Sequence, residues 1–284
     1  GVTGLEMAVL THELLASPLG ADIKYLIGPA PLMTALDMQG FSVSLLPLGE
    51  GDIDALCAPV APAAWPGCLP VVAAPIVAMP AGLAPVPPVP SQEPAIGAFI
   101  ERCCSILIDA EHDLNLLDAK SGDGDTGSTL ATAARALIDA TERLPLADLP
   151  ELYRAISAEL SQTMGGSSGV LLAIFFSAAG EALSRNHDSV AALKAGLARM
   201  EQVGGARPGD RTMVDALGPA LDSLPEGLAA AAHAARAAAD RTGTMTRAGA
   251  GRATYVSAEN LAGYNDPGAE AVARLFEGLA HTDA

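Results

Sequence analysis

Lysine is scarce in this chain of 284 residues, standing only at Lys24, Lys120 and Lys194. None of the three belongs to a GxxxxGK[ST] sequence, so the usual lysine-bearing phosphate loop is absent. Basic residues number 16 against 33 acidic ones, a net charge of −17 that repels phosphate backbones and anionic membrane surfaces, so neither nucleic acid nor membrane is an expected partner. Aromatics make up only 4%, which leaves little to stack on bases. The four cysteines, Cys57, Cys68, Cys103 and Cys104, form no CxxC pair and no His–Cys grouping at zinc spacing, and free thiols point to a reducing cytoplasm. The longest strongly apolar run, Gly169 to Gly180, falls short of the ~20 residues of a spanning helix. The first residue is Gly1, and Val2 to Leu15 is already amphipathic with no basic leader, so the chain reads as truncated at its start.

What is present is apolar and aliphatic. Hydrophobic residues reach 50% and charged ones 17%, the balance of a folded protein, and recurring alanine and leucine predict helices with a small-residue core. The length suits about two domains at ~150 residues each. Residues 4–16 carry helical spacing, 23–28 form an apolar run stopped by Gly28-Pro29, Pro31 to Gly40 suits a second helix, and Phe41 to Leu48 alternates like a strand. This is a small α/β piece, residues 1–57. Prolines then crowd 58–94, which predicts an extended linker of polyproline character. From residue 95 onward eight helical segments follow: 96–117, 128–143, 149–164, 170–184, 189–202, 212–223, 225–241 and 268–281. Glycine-bearing loops join them. Helix N-termini present free amides and a positive dipole end, so those loops are where chemistry is expected.

The densest loop runs Leu117-Asp118-Ala119-Lys120-Ser121-Gly122-Asp123-Gly124-Asp125-Thr126-Gly127-Ser128. Its glycines formally satisfy G-x-G-x-x-G, but they follow a helix rather than a strand and enclose two carboxylates that repel a bare pyrophosphate. Asp118, Asp123 and Asp125 cannot share one helical face, whereas a glycine-rich loop can fold them around a common point, where mutual repulsion demands a cation. Hard oxygen ligands select magnesium or calcium. An EF-hand is excluded because Ala134 stands where its glutamate belongs, which favours magnesium shared with phosphates. The competing reading leaves Asp118 as a helix or turn cap and the other two as solvated turn-formers.

Three further loops have the same character. Thr163-Met164-Gly165-Gly166-Ser167-Ser168-Gly169 precedes an apolar helix, Gly204-Gly205-Ala206-Arg207-Pro208-Gly209-Asp210-Arg211-Thr212-Met213 places a cation in a turn, and Asp266-Pro267-Gly268 opens the last helix with a cap and a proline. Four loops of one kind suggest one site. With so little lysine, neutralisation must come from metal and arginine, which suits a nucleotide held through magnesium with its terminal phosphate exposed for transfer.

These residues resemble a known family. LDxxxGDGDTG, MGGSSG, ARPGDRTM and GRATYVS followed by DPG are similar, in order, to the nucleotide-binding L domain of dihydroxyacetone kinases, and LIGPAPLMTALDMQGFSVSLLPL resembles the end of that family's substrate-binding K domain. The resemblance implies a mainly α fold, an antiparallel barrel of eight helices preceded by a small α/β fragment, with the L domain at 95–284. It implies ATP and magnesium as cofactors, with Asp118, Asp123 and Asp125 as metal ligands. Asp125 would also belong to the nucleotide site through its metal, and Thr126, Gly127, Ser128, Ser167 and Ser168 would touch phosphate. Gly204, Thr212, Met213, Asp266, Pro267 and Gly268 would line the nucleotide, and Arg211 would steady the phosphoryl group in flight. The implied activity is ATP-dependent phosphorylation of dihydroxyacetone or a similar short ketose, in a cytoplasmic enzyme that is a homodimer at full length. The family's substrate-binding histidine and base find no counterpart here and are expected upstream of Gly1. The alternative implied by the same resemblance is a non-enzymatic, ADP-loaded L-type subunit of a phosphotransferase relay or a regulator's partner.

Overall fold

The computed structural model describes residues 4–30, 41–62, 65–72, 77–78, 80, 87–186 and 188–281. The chain divides into two compact units, Gly1–Ala84 and Pro85–Ala284.

In the first unit, helix α1 (Gly4–Ala16) stops where Ser17 precedes Pro18: the ring of a proline pushes the residue before it out of the helical region, and Ser17 sits at φ −71°, ψ 166°. Strand β1 (Tyr25–Ile27), helix α2 (Asp52–Cys57) and strand β2 (Cys68–Pro70) follow. The two strands pair antiparallel, with Leu26 opposite Leu69 and Ile27 opposite Cys68. β2 lies inside the stretch expected to be a plain linker. It can pair because its one proline, Pro70, falls at the strand's end opposite Tyr25, and Val71 resumes donation to the Lys24 carbonyl at 2.9 Å. Phe41–Leu48, expected as a strand, is irregular and exposed. No described strand pairs with it, and alternation alone does not make a strand without a partner. The helix expected over Pro31–Gly40 lies outside the described residues.

The second unit is helical. Its elements are α3 (Pro94–Asp109), α4 (Glu111–Asp118), α5 (Thr126–Ala140), α6 (Leu149–Thr163), α7 (Gly166–Asn186), α8 (Ser189–Gly204), α9 (Val214–Ser223), α10 (Leu228–Thr242), the single turn α11 (Ala258–Leu261) and α12 (Pro267–Ala280). The expected first helix is broken at Ala110 into α3 and α4. Otherwise the expected segments are present to within a few residues. Local chemistry sets their ends: Asp148 accepts from the Glu151 N–H to open α6, Asp188 accepts from Val190 and Ala191 to open α8, and Gly205 at φ 77° closes α8.

Neighbour follows neighbour around a closed ring: α3 packs on α5, α5 on α6, α6 on α7, α7 on α8, α8 on α9, α9 on α10, α10 on α12, and α12 returns to α3. This is the expected eight-rod barrel. Its interior has two lobes that meet at Leu172 and Phe176 of α7. One lobe is packed largely with alanine, from Ala231, Ala235, Ala238 and Ala239 of α10 to Ala269 and Ala273 of α12, so these helices approach closely, with Phe175 and Phe276 as its buried aromatics. Helix α7, at 21 residues, is longer than the apolar run read from sequence. It is the one described helix long and apolar enough to cross a membrane by length and composition. Here it is wedged between α6 and α8 and buries Ala173, Phe175, Ala179 and Leu183.

Candidate functional site

The turn between α4 and α5 is built around one carboxylate. Asp118, the last residue of α4, is 7% exposed, and its Oδ2 accepts from the N–H groups of Gly124 (3.1 Å), Asp125 (3.0 Å) and Thr126 (3.1 Å). The loop therefore folds back over the helix end. Gly122 permits this, because a Cβ there would lie 2.2 Å from Asp118 Oδ1, and Gly124 turns the chain at φ 79°. Asn115, one turn earlier on α4, locks the start of α5: its Oδ1 accepts from Ser128 N at 3.0 Å and its Nδ2 donates to Ser128 Oγ at 2.8 Å. The Ser128 hydroxyl also reaches Glu111, whose carboxyl is held below its usual range chiefly by Arg135 and in smaller part by Ser128.

This fold gathers the three aspartates. Asp118, Asp123 and Asp125 bring one carboxylate oxygen each within 4.8 Å of one another, the buried Asp118 beneath and the other two exposed. Three hard, anionic oxygens at that spacing fit a divalent cation of the magnesium or calcium type and suit no soft metal. Arg252, an exposed side chain of the GRATY segment, pairs with Asp123 and partly offsets the repulsion.

Contacts join this loop to the others. Lys120 Nζ stands 5.9 Å from the Tyr264 ring centroid, and the Tyr264 carbonyl accepts from Arg211 Nη2 at 2.8 Å. Asp210 receives the Gly249 N–H on its carbonyl at 2.9 Å, just upstream of Arg252. Met213 abuts Gly268, where a Cβ would fall 3.1 Å from Met213 Cβ. Gly204 packs on Leu171 of α7 in the same way, at 2.8 Å from its Cδ2. Asp113 of α4 is fixed by Arg274 (2.9 Å), which also binds Glu270, and Arg236 of α10 grips Glu270 (2.6 Å) and Glu277 (2.8 Å). Burial would push the Glu270 carboxyl up, but its bonds from Arg236, Arg274 and Asn265 prevail and hold it down at about 2.

The individual expectations fall out unevenly. The three aspartates converge. Thr126, Gly127 and Ser128 form the first turn of α5, but the Thr126 and Ser128 N–H groups and the Ser128 hydroxyl are engaged within the protein. Ser167 and Ser168 occupy the first turn of α7, one exposed and one half-buried, where backbone amides have no partner within the helix. Gly204 is the last residue of α8, and Thr212 and Met213 are half-buried, Met213 against Gly268. Pro267 is buried, and Asp266 caps α12 by accepting from Ala269 N at 2.9 Å while its own N–H goes to Thr242 at 2.7 Å. Burial lifts the Asp266 carboxyl to about 6 against the pull of the Ala269 N–H and Arg211.

Arg211 is set apart from the other expected residues by its burial. It was expected at the phosphoryl group; in the structure its side chain is 0% exposed and its backbone takes φ 61°. The exposed arginine at the acidic loop is Arg252, which charge and spacing alone did not single out. Asn115 and Tyr264 were likewise missed, since a polar residue on a helix and an aromatic in a loop carry no pattern of their own.

The DAK2 domain family matches residues 120–281. The chain is 47% identical over 288 residues to the dihydroxyacetone kinase of Citrobacter freundii, an alignment covering 100% of this chain and 52% of that protein. It is 36% identical over 307 residues to the triokinase/FMN cyclase of Homo sapiens, covering 98% of this chain and 52% of that one. The crystal structure of the Citrobacter freundii kinase in complex with AMP-PNP and Mg2+ superposes with a TM-score of 0.64 at 44% identity, over 99% of this chain and 51% of that chain. The chain thus spans about half the length of the curated relatives it matches. With the barrel, the acidic loop and the matched span in agreement, the chain belongs to the DAK2 domain family.

Proposed function

We propose that this chain is the Mg·ATP-binding half of a kinase that phosphorylates dihydroxyacetone or a similar short ketose. The observation that carries the reading is the convergence of Asp118, Asp123 and Asp125 at the start of α5, in a chain whose relative was crystallised with AMP-PNP and Mg2+. The three aspartates hold magnesium, which when bound neutralises charge on the nucleotide's phosphates. Asp118 keeps the loop folded by its three backbone bonds, and Asp123 and Asp125 face the solvent side where a triphosphate arrives. The first turn of α7, with Ser167 and Ser168, offers backbone amides to phosphate. Thr212, Met213 and the Pro267-Gly268 pair border the nucleoside. Arg252, exposed and already paired with Asp123 at the acidic loop, is the cation that steadies the group in transfer, in place of Arg211.

The acceptor hydroxyl comes from a substrate-binding domain, of which residues 1–57 are the end and 58–94 the connection to the nucleotide half, 95–284. The whole works as a homodimer in the cytoplasm. Calorimetric titration of the chain with Mg·ATP tests the core of this reading. Wild type should bind, and Asp123→Ala should lose magnesium-dependent affinity while its circular dichroism is unchanged. Equal affinity in the variant would count against it.

A further inference from the structure

Arg211 combines features that have a cost. Its guanidinium is fully buried, Nε and Nη1 meet no hydrogen-bond partner among the described residues, and its backbone sits in the left-handed region that non-glycine residues avoid. Burial pulls its basicity down, and the nearby Asp266 opposes that pull. A buried, half-satisfied cation in a strained turn is a poor way to fill a core.

What it does do is join two segments. Nη2 donates to the Tyr264 carbonyl at 2.8 Å, across a sequence separation of 53 residues. The residues just after it are held by other bonds: Thr212 N donates to Asp215 Oδ2 at 2.8 Å, and Gly209 N on the other side donates to Asp215 Oδ1 at 2.5 Å. The residues just after Tyr264 are equally fixed, by the Thr242 and Ala269 bonds of Asp266. So, among the described residues, the Arg211 guanidinium supplies the side-chain hydrogen bond between the 205–213 loop and the 262–268 segment, and the Met213–Gly268 contact lies just beyond it.

We propose that Arg211 is a positioning residue for the nucleoside: it pins the two segments that border the base and ribose and does not touch the phosphates. This rests on the nucleotide reading above. It predicts a split that neither a phosphate contact nor a merely structural role produces. Removing the tie should weaken a ligand that has a nucleoside and spare one that is all phosphate.

The experiment compares Mg·ATP with Mg·tripolyphosphate by calorimetry on wild type, Arg211→Lys and Arg211→Met. Arg211→Met should lose about ten-fold in ATP affinity, the scale of one charge-assisted hydrogen bond, with tripolyphosphate affinity unchanged within about two-fold. Arg211→Lys, which keeps the charge, should fall between. Because a buried arginine can be needed for folding, hydrogen exchange on the unmodified chain gives an independent reading: ATP should protect 205–213 and 262–268 together, and tripolyphosphate should protect neither. Equal losses for both ligands, equal protection by both, or variants indistinguishable from wild type would each overturn the assignment. A wild-type chain that binds neither ligand removes the nucleotide reading itself, and this inference with it.

Discussion

Replacing Gly122 by alanine sets two calculable effects against each other. Gly122 has no positive φ to protect, so alanine should stabilise through the unfolded chain by about 0.4–1 kcal/mol. Against this, the new Cβ would lie 2.2 Å from Asp118 Oδ1, where an ordinary carbon–oxygen contact needs ~3.3 Å. The carboxylate must retreat by roughly 1 Å, and its other oxygen is the shared acceptor of three N–H bonds at 3.0–3.1 Å. Hydrogen bonds to a charged group are worth about 1.5–3 kcal/mol each, and losing even one or two outweighs the entropic gain. The expected outcome is a net loss of about 2 kcal/mol in urea unfolding followed by circular dichroism, with a matching loss of Mg·ATP affinity. Gly218→Ala is the control: its Cβ would meet only Leu197 Cδ2 at 3.8 Å within α9, so it should gain about 0.5–1 kcal/mol. If Gly122→Ala proved as stable as Gly218→Ala and bound Mg·ATP like wild type, the reasoning that Asp118 organises this loop would be refuted.

Two further outcomes follow from charge. Asp266, lifted to about 6 when folded, binds its proton more tightly in the native state than in the unfolded one, so stability should rise as pH falls from about 6 to about 4. Glu270, held at about 2, acts oppositely: its contribution is present above about 4.5 and is lost as pH falls toward 2. Melting temperature against pH should therefore pass through a maximum near pH 4–5, and Asp266→Asn should flatten the limb between about 4 and 6; an unaltered limb would show that Asp266 is not its source. Arg252→Ala should leave urea stability within about 0.5 kcal/mol, since the pair is exposed, yet tighten binding of bare Mn2+ by about two- to five-fold because the guanidinium no longer competes for Asp123. Weaker Mn2+ binding, measured by paramagnetic relaxation, would contradict that.

How much of this was legible in the residues depended on whether the signal was local. The aspartate trio was visible because glycines separate it, and the start of the last helix because Asp266 stands just before a proline where a cap belongs. The break at Ala110 was not, since alanine marks no boundary. The burial of Arg211 was not legible, because nothing local in a glycine-rich turn announces its bond to the Tyr264 carbonyl across 53 residues of sequence. The pairing of Cys68–Pro70 with Tyr25–Ile27 was hidden by the surrounding prolines, and Phe41–Leu48 misled because alternation says nothing about whether a partner strand exists.

The most direct test is anomalous scattering from crystals of the chain grown with Mn2+ and a non-hydrolysable ATP analogue. The account predicts manganese peaks within ligand distance of Asp118, Asp123 and Asp125, with the triphosphate bridging them to the first turn of α7. A nucleotide lying away from the α4–α5 turn, or manganese bound without any of the three aspartates, would contradict it.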